Sequence, residues 1–354
     1  MAINTTTPFY YTSTDVGAPQ ITANNALSFL TVLKTCLVGS AGTAYGAKAS
    51  AGWTIAFEDD VNVAIAFQMA TGNKRFIRLG NSTNTGTSGY QDYSYFEVRG
   101  YNAMTDVNTG TNPFPSVVQR SSFRWAFAGD LAINTTTIIP WSICASGNFF
   151  YIHVHIGNAG NNQNSSYGCH FAGYFGDIVS YLPTDTMQTI LSGFWVGTGL
   201  NTPGSPCWST NNQWYPYAPF KSADQLLAAN FDNFCYIYGS AQQVYGPYLA
   251  QPHWDEASAG GTSGGWAGGS GMPNPNSAGQ FVFQKATLYE NSNSPVLRGE
   301  MPGLKIPMHV RPFPDQYQLT LGTDTHVSWL AQPPSGNNAA SYNVLVDITK
   351  WSTN

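Results

Sequence analysis

Apolar residues along this chain recur at every second position or in short unbroken runs, and only once at helical spacing. Leu27, Leu30, Leu33 and Leu37 stand three or four apart, which puts them on one face of an α-helix. Thr22 or Asn24 can cap its start, and Gly39 follows its end. With Lys34 on the opposite side, a helix is expected over about 24–38, packed on a sheet. Elsewhere the pattern is that of strands. Runs at 53–57 and 61–69 are aromatic and β-branched, and Glu58, Asp59 and Asp60 between them suggest a hairpin turn. Residues 75–79 alternate with period two, and 93–101, 149–156, 234–238, 280–289 and 342–348 are further strand candidates. Asp185 and Ser222 can cap short helical turns at 184–192 and 222–230. The pattern predicts a mainly β chain: a β-sandwich or barrel-like domain or domains, with one N-terminal helix and few short helices.

Punctuation suggests the organisation. Gly, Ser, Thr and Asn cluster at 81–89 and 157–168. Segment 257–279 is uncharged and rich in glycine and proline, which marks a linker or an exposed insertion. It divides a large β-rich domain, 1–256, with an N-terminal arm at 1–20, from a C-terminal β region, 280–354, that can pack on the first. No regular repeat of 20–50 residues supports a solenoid or propeller.

Charge narrows the picture. The 354 residues include 14 Lys+Arg and 19 Asp+Glu, or 9%, against roughly 25% in an ordinary soluble domain. A net charge of −5 with no basic run argues against binding nucleic acid by phosphate neutralisation. Hydrophobic residues at 42% argue against intrinsic disorder. Two long stretches, 131–176 and 186–220, carry no Asp, Glu, Lys or Arg. Pro, Gly, Asn and Ser interrupt both, so neither is a membrane helix and no membrane insertion is expected. A free monomer needs surface charge to stay soluble, so these stretches are the candidate surfaces buried against neighbouring subunits. The N-terminus has neither a basic nor an apolar signal region, which implies synthesis in a cytoplasm. Five cysteines, an odd number without a C-x-x-C pair, suggest buried free thiols and a reducing compartment.

Few residues mark themselves out for chemistry. His153 and His155 share one face of a candidate strand, and His170 can lie across from them if the Asn-rich loop is a hairpin turn. Three such ligands can hold zinc, but no carboxylate stands nearby to orient an imidazole. The alternative is ordinary strand histidines on a polar or subunit-facing surface, and no metal or other cofactor is expected. Glu58, Asp59 and Asp60 lack calcium-loop spacing and suggest a solvated turn. No two of the 19 acids stand out as a hydrolytic pair, and no nucleophile elbow, P-loop or dinucleotide fingerprint occurs. The glycines at 264–269 lack a lysine and do not join a strand to a helix. Trp208, Trp214, Tyr215 and Tyr217 lie in a Pro-rich, uncharged stretch. They can stack on sugar rings, form subunit contacts, or pack at loop ends.

Several segments together resemble a family of structural virion proteins of tailed bacteriophages. They are Tyr11-Thr-Ser-Thr-Asp-Val-Gly-Ala-Pro19, Tyr45-Gly-Ala-Lys48 and Gly52-Trp-Thr-Ile-Ala-Phe57. The clearest is Arg99-Gly-Tyr-Asn-Ala-Met-Thr-Asp106-Val-Asn-Thr-Gly110-Thr-Asn-Pro113-Phe-Pro115. Asn148-Phe-Phe-Tyr-Ile152, Tyr174-Phe-Gly-Asp-Ile178 and Arg298-Gly-Glu-Met-Pro-Gly303-Leu-Lys-Ile-Pro307-Met-His309 complete the set. The matches are in order over about 300 residues, and the loops at 157–168 and 257–279 look expanded. Gly100, Gly110 and Gly303 permit tight turns or close approach, and Pro113, Pro115, Pro302 and Pro307 stiffen connections and blunt sheet edges. Asp106, with Asn108 and Thr109, can fix a loop.

The resemblance implies a non-enzymatic virion component, assembled in the host cytoplasm and associated with the tail: collar, sleeve, tail tip or baseplate. Its partners would be other copies of itself in a symmetric homo-oligomer and other virion proteins. The N-terminal arm, uncharged before Asp15, could lie across another subunit. The alternatives are a module binding a receptor or host-surface glycan, and a capsid decoration protein; an enzyme such as a depolymerase stands behind both.

Overall fold

A computed structural model of the chain describes residues 4–22, 25–81, 95–114, 124–126, 138–156, 169–181, 185–196, 234–237, 243–245, 283–290, 296–307, 313–330 and 343–353. One strand sets the architecture. In Phe149–Ile156, the side chains of Phe150, Ile152 and Val154 point to one face and those of Phe149, Tyr151 and His153 to the other, and all are buried. A strand buried on both faces belongs to the middle of a layered stack. It lies in an antiparallel seven-stranded sheet ordered Gln243–Tyr245, Phe234–Ile237, Thr189–Val196, Cys169–Asp177, Phe149–Ile156, Trp141–Ala145 and Phe9–Thr12.

The two faces of this central sheet carry separate cores. On one, Ile143, Phe150, Ile152 and Phe175 meet Phe67, Leu79, Phe96 and Trp125 of a five-stranded sheet, together with Phe29 and Leu33 of the helix. That sheet is ordered Arg124–Ala126, Tyr95–Tyr101, Phe76–Asn81, Ala64–Gln68 and Thr54–Asp59. On the other face, Tyr151, Tyr174 and Ile190 meet Met301, Val327, Trp329 and Trp351. These belong to the C-terminal region, whose six-stranded sheet runs Val179–Ser180, Val296–Pro307, Asn343–Asp347, Asp324–Leu330 and Gln318–Leu321, with Phe283–Glu290 also on Val296–Pro307. The C-terminal strand Trp351–Thr353 pairs with Asn4–Thr6. Phe149 stacks on Trp351 with centroids 4.3 Å apart. Each such wholly buried aromatic contributes roughly 1.5–3 kcal/mol from burial alone. The protein is therefore mainly β, and its C-terminal region shares a core with the central sheet.

The helix runs Ala26–Leu33 and continues as a π-turn, Lys34–Val38, ended by Gly39 at φ 65°. Its cap is Asn25, whose side chain accepts from the Ser28 amide, rather than Thr22, which lies in a short strand. Phe29, Leu30, Val32, Leu33, Cys36 and Leu37 are buried, while Leu27 is 46% exposed. The buried stripe centres on Phe29, Leu33 and Cys36, and Leu27 lies to one side of it.

Four other expectations need correction. The arm does not reach outward: Asn4–Thr6 and Phe9–Thr12 are stitched into the chain's own sheets. The expected helical turn at 184–192 is instead the start of strand Thr189–Val196, because neighbours pair on both sides. Asp185 there caps a turn, accepting from the Met187 amide at 2.8 Å. The hairpin strand runs through Glu58 and Asp59, and the Asp59 carboxylate accepts from the amides of Val61 and Asn62 in the turn beyond. Finally, much of the uncharged stretch 131–176 forms central strands covered on both faces by this chain itself. In those strands the lack of charge follows from burial within the fold. The helical turn expected at 222–230 and the loops at 157–168 and 257–279 lie outside the described residues.

Candidate functional site

Three polar assemblies join the layers. The first closes an edge of the central sheet. Strand Phe9–Thr12 ends the sheet, and the Lys48 ammonium takes the Tyr10 carbonyl at 2.8 Å. Lys48 also donates to Asp15 Oδ2 at 2.5 Å, and the Tyr45 hydroxyl and Thr12 amide donate to the same oxygen at 2.6 and 2.8 Å. The ammonium stands 5.9 Å from the ring centres of Tyr10, Tyr11 and Tyr45, within cation–π range. Burial by itself raises the Asp15 pKa, but the bonds from Lys48, Tyr45 and Thr12 outweigh it and hold the carboxyl below its ordinary value.

A second assembly crosses from the central to the C-terminal sheet. Gln316 accepts from the Tyr10 hydroxyl at 3.1 Å and donates to Ser142 Oγ at 3.2 Å. Its amide nitrogen lies 3.3 Å from His153 Nδ1. His153 lies flat on Trp329, with centroids 5.3 Å apart and planes within 7°. Further along this sheet, buried His326 and Asp347 are cross-strand partners, Nε2 to Oδ2 3.5 Å. Burial and then Lys305 lower the His326 pKa, so the imidazole favours its neutral form.

The third assembly borders a cleft of about 400 Å³ where the layers meet, lined by residues including Thr6, Thr71, Ser146, Asn148, Asp177 and Pro302. Asp177 is almost wholly buried. It accepts from Thr189 Oγ1 at 2.5 Å, the Asn73 amide at 3.0 Å and Asn73 Nδ2 at 3.2 Å. Burial pushes its carboxyl above the ordinary value despite these bonds. The lining offers hydroxyls, amides and this one carboxylate. Such a surface can hydrogen-bond a neutral, hydroxyl-rich ligand, while acid–base hydrolysis needs a second carboxylate across the cleft.

Of the candidate zinc ligands, His155 and His170 are direct partners in the antiparallel register, as expected. His153 departs from the surface reading: it is 1% exposed and sealed between two sheets, where Tyr151 and Val154 beside it pack in opposite cores. Among the described residues no group of three His, Cys, Asp or Glu is placed to hold a metal. Trp208, Trp214, Tyr215, Tyr217 and Pro115 lie outside the described residues.

The motif glycines are joints. The Phe114 ring occupies the place of a Cβ on Gly100, the Tyr101 ring that on Gly110, and the Trp351 indole that on Gly303, whose φ is 63°. Asp106 accepts from the Asn108 amide at 2.7 Å, and Asn108 accepts from Arg78 at 2.8 Å, which pins the hairpin to the sheet. Pro113 precedes Phe114, whose backbone bridges to Gly100. Pro302 lies inside strand Val296–Pro307, which has neighbours on both sides, so it blunts no edge, whereas Pro307 ends the strand and, among the described residues, is paired only with Phe283. Pro302 is tolerated because the register with Phe283–Glu290 breaks there.

Asn73, Thr189 and Gln316 carry no local signal in the sequence. Asp177 has one: it is the charge that ends the uncharged run 131–176. No protein-family model matches the chain, and no curated protein does.

Proposed function

We propose that this chain is a non-enzymatic structural component of a tailed-bacteriophage virion, tail-associated and assembled as a symmetric homo-oligomer. One observation carries the reading: segments that bear the resemblance to virion proteins are used as joints between layers. Asp15 meets Tyr45 and Lys48 across two of them. The segment from Arg99 supplies the Gly100–Phe114 contact and the hairpin held by Asp106, and Gly303 receives Trp351. Joints of this kind make a rigid body that can present surfaces to neighbours. The test is peptide mass spectrometry and antibody labelling of gradient-purified particles. The chain is expected at a fixed copy number at one position along the tail. Its absence from mature particles would overturn the proposal. The cleft favours a second reading, a glycan-binding module. A glycan array should then give a signal that Asn148→Ala weakens, and a blank array would count against it.

A further inference from the structure

The sheet edges in this protein are treated differently. The central sheet's edge at Phe9–Thr12 is plugged by Lys48. The five-stranded sheet's edge at Thr54–Asp59 carries a bulge, an acidic end and the Lys34–Glu58 ion pair. Bulges and charges are the usual means of keeping an edge from pairing with another chain. Strand Gln318–Leu321 itself has neither over its four residues: it contains no charged residue or proline, and its register with Asp324–Leu330 is unbroken, the bulge of Gln316 and Tyr317 against Ser328 standing just before its start. It ends the C-terminal sheet, and among the described residues nothing pairs with its outer side.

Resting on the homo-oligomer reading, we infer that this edge pairs with the same edge of a second copy, antiparallel about a two-fold axis through Leu319. Backbone geometry sets the register. Ser328 exchanges its backbone bonds with Gln316 and Tyr317. Ladder alternation then turns the amides and carbonyls of Leu319 and Leu321 inward, and those of Gln318 and Thr320 to the open side. Opposed residues must share a face, and here Leu319 and Leu321 are half-buried while Gln318 and Thr320 are exposed. Of the arrangements that satisfy both conditions, the one that pairs both outward-facing residues within the strand sets Leu319 against Leu319, with Gln318 of each copy opposite Thr320 of the other. About four backbone hydrogen bonds result. Tyr317, 49% exposed and stacked on Phe313, then covers Leu321 of the second copy. A contact of this size is smaller than a free-standing interface, so it forms together with other contacts between copies of this chain.

The test uses the full chain. Thr320→Pro removes an outward amide and leaves the bonds to Asp324–Leu330 in place. Sedimentation across a concentration series should show self-association, weakened about tenfold in the variant. Thermal unfolding of the dilute protein should be unchanged. Hydrogen exchange should show the Gln318 and Thr320 amides protected in the associated wild type and exchanging freely in the dilute protein. If Thr320→Pro unfolds the chain, Leu319→Lys, which opposes two like charges in the pair, replaces it. An oligomer insensitive to these changes, or with fast-exchanging Gln318 and Thr320 amides, overturns the edge pairing and leaves the virion reading standing. A chain monomeric at all concentrations overturns the edge pairing as well. Absence from particles overturns the virion reading alone.

Discussion

Lys48→Met tests the joint that closes the central sheet. The substitution keeps the aliphatic stem and deletes the ammonium, so Asp15 loses one of three donors and the Tyr10 carbonyl loses its side-chain partner. A charge-assisted bond in a buried setting contributes about 1.5–3 kcal/mol. Lys48 and Asp15 retain 37% and 24% of their side-chain exposure, and solvent screening reduces the pair toward the surface range. Adding the Tyr10 bond and the aromatic cage, the expected loss is about 1–2 kcal/mol at pH 7. The pH dependence is the sharper test. The Asp15 carboxyl is held below its ordinary value in the folded state. Its stabilisation is therefore complete above the ordinary carboxylate range and disappears as pH falls through the lowered value. The gap between wild type and Lys48→Met should narrow as pH falls below about 4 and close once pH passes the lowered wild-type value, where both have a protonated Asp15. Urea unfolding of both proteins between pH 3 and 7 measures it. A gap under about 0.3 kcal/mol at pH 7, or one that does not change with pH, would refute the argument.

Three other outcomes are expected. Asp177 behaves in the opposite sense, since its carboxyl is raised by burial. As pH falls from 7 toward the ordinary carboxylate value of about 4, urea midpoints should show the wild type gaining stability relative to Asp177→Asn. Gly100→Ala and Gly303→Ala drive a methyl into Phe114 and Trp351, and Gly303 also has a positive φ. Each should cost about 1–3 kcal/mol in thermal unfolding. Cys36 and Cys144 are buried, and burial pushes both thiols well up. They should resist a thiol reagent in the native protein and react on unfolding, read as reagent uptake against urea.

Period-two alternation and short apolar runs establish the β class before any contact is known, because a pleated strand sends successive side chains to opposite faces. The same logic locates Phe149–Ile156 and the two strands of the hairpin whose turn follows Asp59. The Gly39 helix stop is legible because few residues adopt its positive φ. The polar assemblies are not legible. Asp15 is separated by 33 residues from Lys48, Asn73 by 104 from Asp177, and Gln316 by 163 from His153. Nothing local marks residues that meet only when sheets stack. Low charge is the clearest case of this division. By itself the sequence marks the stretch 131–176 as a candidate for burial, because it carries no charge. Only the tertiary structure decides that much of it is covered by the chain's own two outer sheets. A charge-free run reports the cost of burial, which is the same whether the covering surface comes from one chain or another.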